Sequence, residues 1–197
     1  MIDKYFDKVF YINLAKDVDR NTNIISEFSK YDITNYKRVE GVIHTTVPDR
    51  NLWRNFNKSD DKYVLGSLGA RDSHLKTIHI AKQKGYKKIL ILEDDITFIV
   101  NPNKLQLDND WDMLYLGGMV ESHFRNQIVG AYAYALSDKI YDDILNMAIP
   151  SGMEIDNFYA KIIQHMSVNS GRYGQYQIEK VDPFPIRVDF NYDSNIR

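Results

Sequence analysis

Along the chain, short unbroken apolar runs alternate with longer polar segments whose apolar residues fall at helical spacing. Lys8-Val9-Phe10-Tyr11-Ile12-Asn13-Leu14 is β-branched and aromatic between polar brackets, so it reads as a first strand. A polar loop through Asp17 leads to Asp19, a plausible N-cap, and Ile24, Ile25 and Phe28 give the following helix an apolar face. Tyr36 to Glu40 reads as a second strand that stops at Gly41. Residues 42–65, with Pro48, Asp49-Arg50 and Asp60-Asp61, are polar and irregular and read as a surface excursion. Excursions of this length in compact domains often serve as lids. Gly66 and Gly69 then predict a tight turn, followed by a helix through Leu75, Ile78 and Ala81 to about Lys84, with Gly85 as its C-cap.

The next run is apolar on both faces: Ile89-Ile91 and Leu90-Leu92 would point opposite ways from one strand, as in the middle of a parallel sheet. Ile96 to Val100 is a short strand or an apolar bracket, and Trp111 to Gly118 is a strand closing on paired glycines. A loop with His123 and Arg125 leads to Ala131-Tyr132-Ala133-Tyr134-Ala135-Leu136, a strand with its tyrosines on one face. Ser137-Asp138 caps a helix that Pro150-Ser151-Gly152 breaks. A further helix opens at Glu154-Ile155-Asp156, and Gln177 to Val181 forms a last strand before an extended tail. Alternation of strands and helices predicts an α/β domain.

The double-sided strand runs straight into Glu93-Asp94-Asp95. Three adjacent carboxylates repel, and burial sharpens the repulsion. A divalent cation converts that repulsion into ligation, and all-oxygen ligands favour Mg²⁺ or Mn²⁺. Open α/β sheets place ligands at the carboxyl ends of their strands. Three solvated acids in a turn would give the same tripeptide, so the metal site is one of two readings at this point. The loop after the first strand, with Arg20 nearby, suits a nucleotide diphosphate, although a surface arginine would look the same. Arg71, Ser73 and His74 fall in the predicted first turn of the Leu75 helix, where free N–H groups would suit phosphate or sugar hydroxyls. Ordinary, satisfied side chains are the competing account of all three.

Composition narrows the classes. The chain has 197 residues, which suits one domain. A formal charge of -2 lacks the basic excess of a generic nucleic-acid binder. The absence of Cys removes thiolate chemistry, disulfides and Cys-based zinc sites. No apolar h-region follows Met1 and no run reaches membrane-spanning length, so the expected location is cytoplasmic, with peripheral membrane contact compatible.

Taken together, the motifs resemble glycosyltransferase family 25, which includes bacterial lipooligosaccharide galactosyltransferases and collagen galactosyltransferases. The resemblance rests on Tyr11-Ile12-Asn13-Leu14 with Asp19-Arg20, on Val39-Glu40-Gly41, and on Leu68-Gly69-Ala70-Arg71-Asp72-Ser73-His74-Leu75. It continues through Gly85-Tyr86, Ile91 to Asp95, Trp111-Asp112 with Leu116-Gly117, and Ala131 to Ser137. It implies a GT-A-like nucleotide-binding fold with a central, mostly parallel sheet flanked by helices. It implies one glycosyltransferase domain over residues 1–197, with a nucleotide-sugar half at about 1–100 and an acceptor half at about 101–197. It further implies inverting transfer of galactose or glucose from a UDP-sugar to a glycan or glycoprotein hydroxyl, as in lipopolysaccharide biosynthesis. The expected metal, Mn²⁺ or Mg²⁺, falls to Asp95 and Asp94. Asn13, Leu14, Arg20, Gly41, Arg71, Ser73, His74, Glu93 and Asp94 fall to the donor. Asp156 is the expected general base, with Glu154 its competitor.

The chain departs from the family's pattern at Gly130, where a threonine or histidine is expected. It departs again in the tail, where Asn195 replaces an acid. Those departures bear on the acceptor and on any ligand from the tail. They keep two other classes open: a non-catalytic nucleotide-sugar-binding or interaction domain of a larger assembly, and a metal-dependent phosphoesterase.

Overall fold

The structure is a computed structural model that describes residues 2–47, 60–121, 127–167 and 175–189. The expectations for Pro48, Asp49-Arg50, His123, Arg125 and the tail from 190 onward lie outside the described residues.

Six strands form the central sheet. They are β1 (Lys8–Asn13), β2 (Tyr36–Glu40), β3 (Lys88–Glu93), β5 (Met113–Tyr115), β8 (Ala133–Ser137) and β9 (Ile178–Lys180). Their spatial order is β2-β1-β3-β8-β5-β9. Strands β2, β1 and β3 are mutually parallel, β8 runs against β3 and β5, and β9 is parallel to β5. Two small ladders flank the sheet: β4 (Ile96–Phe98) with β10 (Ile186–Val188), and the hairpin of β6 (Met119–Glu121) with β7 (Gln127–Val129).

The period of two along β3 divides the core. Ile89 and Ile91 join one apolar cluster with Phe10, Tyr134, Leu136 and the helical residues Ile78, Ala81, Ile144 and Phe158. Leu90 and Leu92 join the other with Val9, Tyr11, Ala135, Ile24 and Phe28. All four aliphatic side chains of β3 are fully buried, each contributing roughly 1.5–3 kcal/mol by transfer from water. The first cluster is covered by α2 (Asp61–Lys84), α3 (Tyr141–Ser151) and α4 (Ile155–Phe158), and the second by α1 (Val18–Lys30).

Several boundaries differ from the sequence reading. Helix α1 starts at Val18 with Asp17, not Asp19, at the N-cap position. A turn from Asp17 N–H to the Leu14 carbonyl delivers the chain there, 2.9 Å. Strand β8 starts at Ala133, because Gly130 at φ +106 redirects the chain just before it. Tyr132 therefore joins the Leu92 cluster while Tyr134 joins the Ile91 cluster, so the two tyrosines do not share a face.

The largest difference is α2. It begins at Asp61, a full two turns before Gly69, and the Asp60 carboxylate caps it by accepting from Tyr63 N–H at 2.7 Å. Gly66 and Gly69 are thus interior helical residues rather than a turn. Gly69 is there for close approach: a Cβ at this position would stand 2.6 Å from the Val42 carbonyl oxygen. Gly85, at φ +68, ends the helix as expected, with Tyr86 N–H returning to Ala81 O at 3.1 Å.

Gly69→Ala should therefore destabilise despite alanine's better helix propensity. The expected loss is roughly 1–3 kcal/mol, the usual range for forced overpacking. A lower Tm in thermal unfolding checks it, and an unchanged or raised Tm would show that the Val42 segment yields freely.

Candidate active site

The carboxyl ends of β1, β2 and β3 stand side by side. Ile12 pairs in register with Glu93 on one side and with Val39 on the other. Past these ends lies a cleft of about 480 Å³, a volume that suits a small-molecule ligand. Asn13, Leu14 and Arg20 form one wall, Glu93, Asp94 and Asp95 the floor, and Gly41 to His44 with Gly66, Gly69, Ala70 and Ser73 the opposite wall. Lys16 and Lys62 also line it.

Arg20 spans the acidic floor. Its Nε lies 3.0 Å from Asp94 Oδ1, near enough for an ion pair though off the hydrogen-bond axis, and an Nη contacts Asp95 Oδ2. Asp94 Oδ2 accepts from Asn13 Nδ2 at 2.7 Å. Both Asp94 oxygens are therefore occupied. Asp95 keeps one oxygen, Oδ1, buried without a hydrogen-bond partner. Burial raises both carboxyls to about 6, against the opposing pull of Arg20. The tail approaches here too, since Asp189 N–H donates to the Asp95 carbonyl at 2.6 Å.

Among the described residues, no group of three or more His, Asp or Glu side chains encloses an ion. An Mg²⁺-type ion needs fewer, because it commonly takes one or two carboxylates and completes its shell with substrate phosphate and water. Asp95, with its orphaned buried oxygen in the cleft floor, fits that demand. Asp94 has its oxygens committed to Arg20 and Asn13, so its fit as a ligand is poorer than the sequence reading gave it.

Ser73, Arg71 and His74 were expected at a helix N-terminus, facing the ligand. The early start of α2 places them in mid-helix, where their N–H groups are spent on helical bonds. Only Ser73 reaches the cleft. Its Oγ accepts from Val42 N–H at 2.8 Å and donates to Gly69 O at 2.6 Å, clamping the 42–44 wall to α2. His44 adds a second clamp through Asp72, 2.9 Å. Arg71 is buried and turns Nε to Asp72 at 2.7 Å.

His74, also buried, supports the floor from behind. Its Nε2 lies 3.3 Å from Glu93 and its Nδ1 2.8 Å from the Tyr134 hydroxyl, which meets the Tyr159 hydroxyl at 3.0 Å. Burial holds His74 neutral, with its pKa down at about 4. A neutral ring that donates from Nε2 to Glu93 must accept at Nδ1, so the Tyr134 hydroxyl donates to it. Glu93 itself is pushed up to about 7, mainly by burial and then by Asp94.

Asp156 and Glu154 lie outside the cleft wall, beyond Glu93 and His74, at the start of α4. Glu154 is fully engaged: Oε1 accepts from the Tyr63 hydroxyl at 2.7 Å and Oε2 from Asn157. Asp156 is half-buried and accepts from the Ala131 backbone. Burial, then the charge of Glu93, raise it to about 6. The wall residues Val42, Ile43 and His44 were missed. Their one signal is that Val42 and Ile43 follow Gly41 as apolar positions opening an otherwise polar stretch.

Residues 6–127 match the sequence pattern described as glycosyltransferase family 25 (LPS biosynthesis protein). No curated protein matches the chain. Among solved structures it is similar to a glycosyltransferase involved in glycosylation of the major capsid of PBCV-1. Identity is 12% over 89% of this chain and 81% of that one, with a TM-score of 0.48. It is also similar to A197 from STIV, at 13% identity over 88% of this chain and 81% of that one, TM-score 0.42. A third is the nucleoside-diphosphate-sugar pyrophosphorylase of Vibrio cholerae RC9, at 12% identity over 91% and 75%, TM-score 0.42.

Proposed function

The chain belongs to glycosyltransferase family 25 and is a glycosyltransferase, and from that premise we propose that it moves a hexose, galactose or glucose, from a UDP-sugar held in the β1–β3 cleft to a glycan hydroxyl. The observation that carries this reading is the buried, unpartnered Asp95 oxygen in the floor of a cleft that also holds Arg20, Lys16 and Lys62. An acid with a spare oxygen beside several cations suits a metal-bound diphosphate better than it suits a neutral ligand.

In this reading the diphosphate lies against Arg20, Lys16 and Lys62, and the base and ribose rest on the largely apolar wall of Leu14, Val42 and Ile43. Asp95 would hold Mn²⁺ or Mg²⁺, with Asp94 orienting Arg20 beside it. The ion, when bound, supplies Lewis-acid stabilisation of the charge that builds on the departing phosphate. Asp156 accepts the proton of the acceptor hydroxyl as that oxygen bonds to the anomeric carbon and the sugar–phosphate bond breaks, which inverts the centre. A carboxyl near 6 is ionised at neutral pH yet basic enough to help. Glu154, with both oxygens engaged, ties α4 to Tyr63 on α2 instead. The described cleft residues fall between Ile12 and Asp95 while Asp156 comes from the second half, in keeping with a donor half followed by an acceptor half. No helix among the described residues is long and apolar enough to cross a membrane.

Release of UDP from UDP-galactose and UDP-glucose, without acceptor, tests the reading. Slow turnover with Mn²⁺ that stops on chelation is expected. Absence of turnover together with absence of UDP binding would overturn it.

A further inference from the structure

We propose that Arg38, which does not line the cleft, is a positioning residue for the acidic floor and acts through the side-chain amide of Asn13. Its effect on transfer rests on the donor-site reading above; its effect on Asn13 does not.

Arg38 sits on β2, the edge strand, opposite Tyr11. Its Nε donates to Asn13 Oδ1 at 2.8 Å. Asn13 is 2% exposed, and its Nδ2 donates both to Asp94 Oδ2 at 2.7 Å and to the Asp17 carbonyl at 3.1 Å. A second arm runs from an Arg38 Nη to Glu40 Oε2 at 2.8 Å, and Glu40 Oε1 accepts from Ala15 N–H at 2.8 Å. Both arms reach the β1–α1 loop, which leads into the first turn of α1 and its Arg20.

An amide has one acceptor end and one donor end, and a guanidinium has donors only. Arg38 therefore dictates that Oδ1 of Asn13 faces β2 and that Nδ2 faces Asp94. The flipped amide would set its oxygen against a carboxylate oxygen and a carbonyl oxygen, acceptor against acceptor. With Nδ2 bound to Asp94 Oδ2, Arg20 is left Oδ1 of Asp94 and Oδ2 of Asp95, and the buried Oδ1 of Asp95 remains without a hydrogen-bond partner. The pattern of open and closed oxygens on the floor thus begins at an arginine on the sheet edge. If Arg38 were only half of a surface pair with Glu40, its loss would change little.

The test uses Arg38→Met, Asn13→Ala and the double variant. The Asn13 side-chain amide protons, followed by NMR, should exchange slowly in the wild type and much faster in Arg38→Met. Turnover of Arg38→Met should fall about 10–100-fold, the usual worth of a hydrogen bond made by a charged group. Acceptor KM should stay near wild type, and Arg38→Lys, which restores a donor, should recover part of the rate. The double variant should be no slower than Asn13→Ala alone. Unchanged amide protection in Arg38→Met, unchanged turnover, or losses that multiply in the double variant would each overturn the proposal. A wild type inactive with every donor would count against the donor-site reading instead, while amide protection would still decide whether Arg38 fixes Asn13.

Discussion

Asp156→Asn should abolish transfer while leaving UDP binding intact and making the protein more stable above neutral pH. Loss of a general base costs about 10²–10⁴-fold in rate, and Asp156 lies outside the cleft that would hold the nucleotide. The stability gain follows from its titration. Burial and Glu93 raise Asp156 to about 6, from an ordinary 3.8. A carboxyl whose folded pKa lies above its unfolded value contributes stability that is fully present below about 4 and is lost as pH rises through about 6. At pH 8 the wild type carries a half-buried charge near Glu93, and asparagine removes it while keeping an oxygen for the Ala131 N–H. The gain at pH 8 is on the order of 1–2 kcal/mol, or a few degrees in Tm, and should shrink toward pH 4. Wild-type turnover should fall on acidification below about 6. Thermal scans at the two pH values, beside a transfer assay and a UDP titration, check each part. Full transfer by Asp156→Asn would mean that another group takes the proton.

Asp95→Asn should be the most damaging change within the cleft. It keeps shape and removes the charge that a cation would meet, while Asp94 stays paired with Arg20 and Asn13. Loss of one electrostatic contact to a transition state typically costs about 10²–10³-fold, and stimulation by Mn²⁺ should disappear with it. Asp94→Asn acts differently. It loosens Arg20 and Asn13 and should weaken UDP binding as well as slow turnover, although metal stimulation survives. Metal titrations of donor hydrolysis for the two variants separate these roles. Metal stimulation that persists in Asp95→Asn but is lost in Asp94→Asn would reverse the assignment.

The central strand was legible because its signal is local. Four aliphatic residues buried on both faces and three acids at the end need no knowledge of distant contacts, and Ile89 to Asp95 fold as read. Helix α2 was half legible. Its C-terminal cap at Gly85 is written in one residue, but its buried positions include Ser67, Arg71, Ser73, His74 and Thr77. With polar residues among the buried positions, the hydrophobic period that marks a helix is blurred. Gly66 and Gly69 then imitate a turn, since nothing local reveals that the Val42 carbonyl packs on Gly69. The same contact hid the far wall of the cleft, because residues 42–44 gain meaning only once Ser73 and His44 clamp them to α2. Asn13, Arg20, Glu93, Asp94 and Asp95 come together as expected, through parallel strands that end at one level. The finer point, that Asp94 has both oxygens engaged while Asp95 keeps one without a partner, depends on Arg20 and Arg38, whose side chains reach across to neighbouring elements.

Diffraction from a crystal holding Mn²⁺ and UDP tests the donor site most directly. The account predicts an anomalous manganese peak at Asp95 Oδ1, with diphosphate density between it and Arg20. Manganese and UDP bound elsewhere, with Asp95 Oδ1 still without a partner, would contradict it.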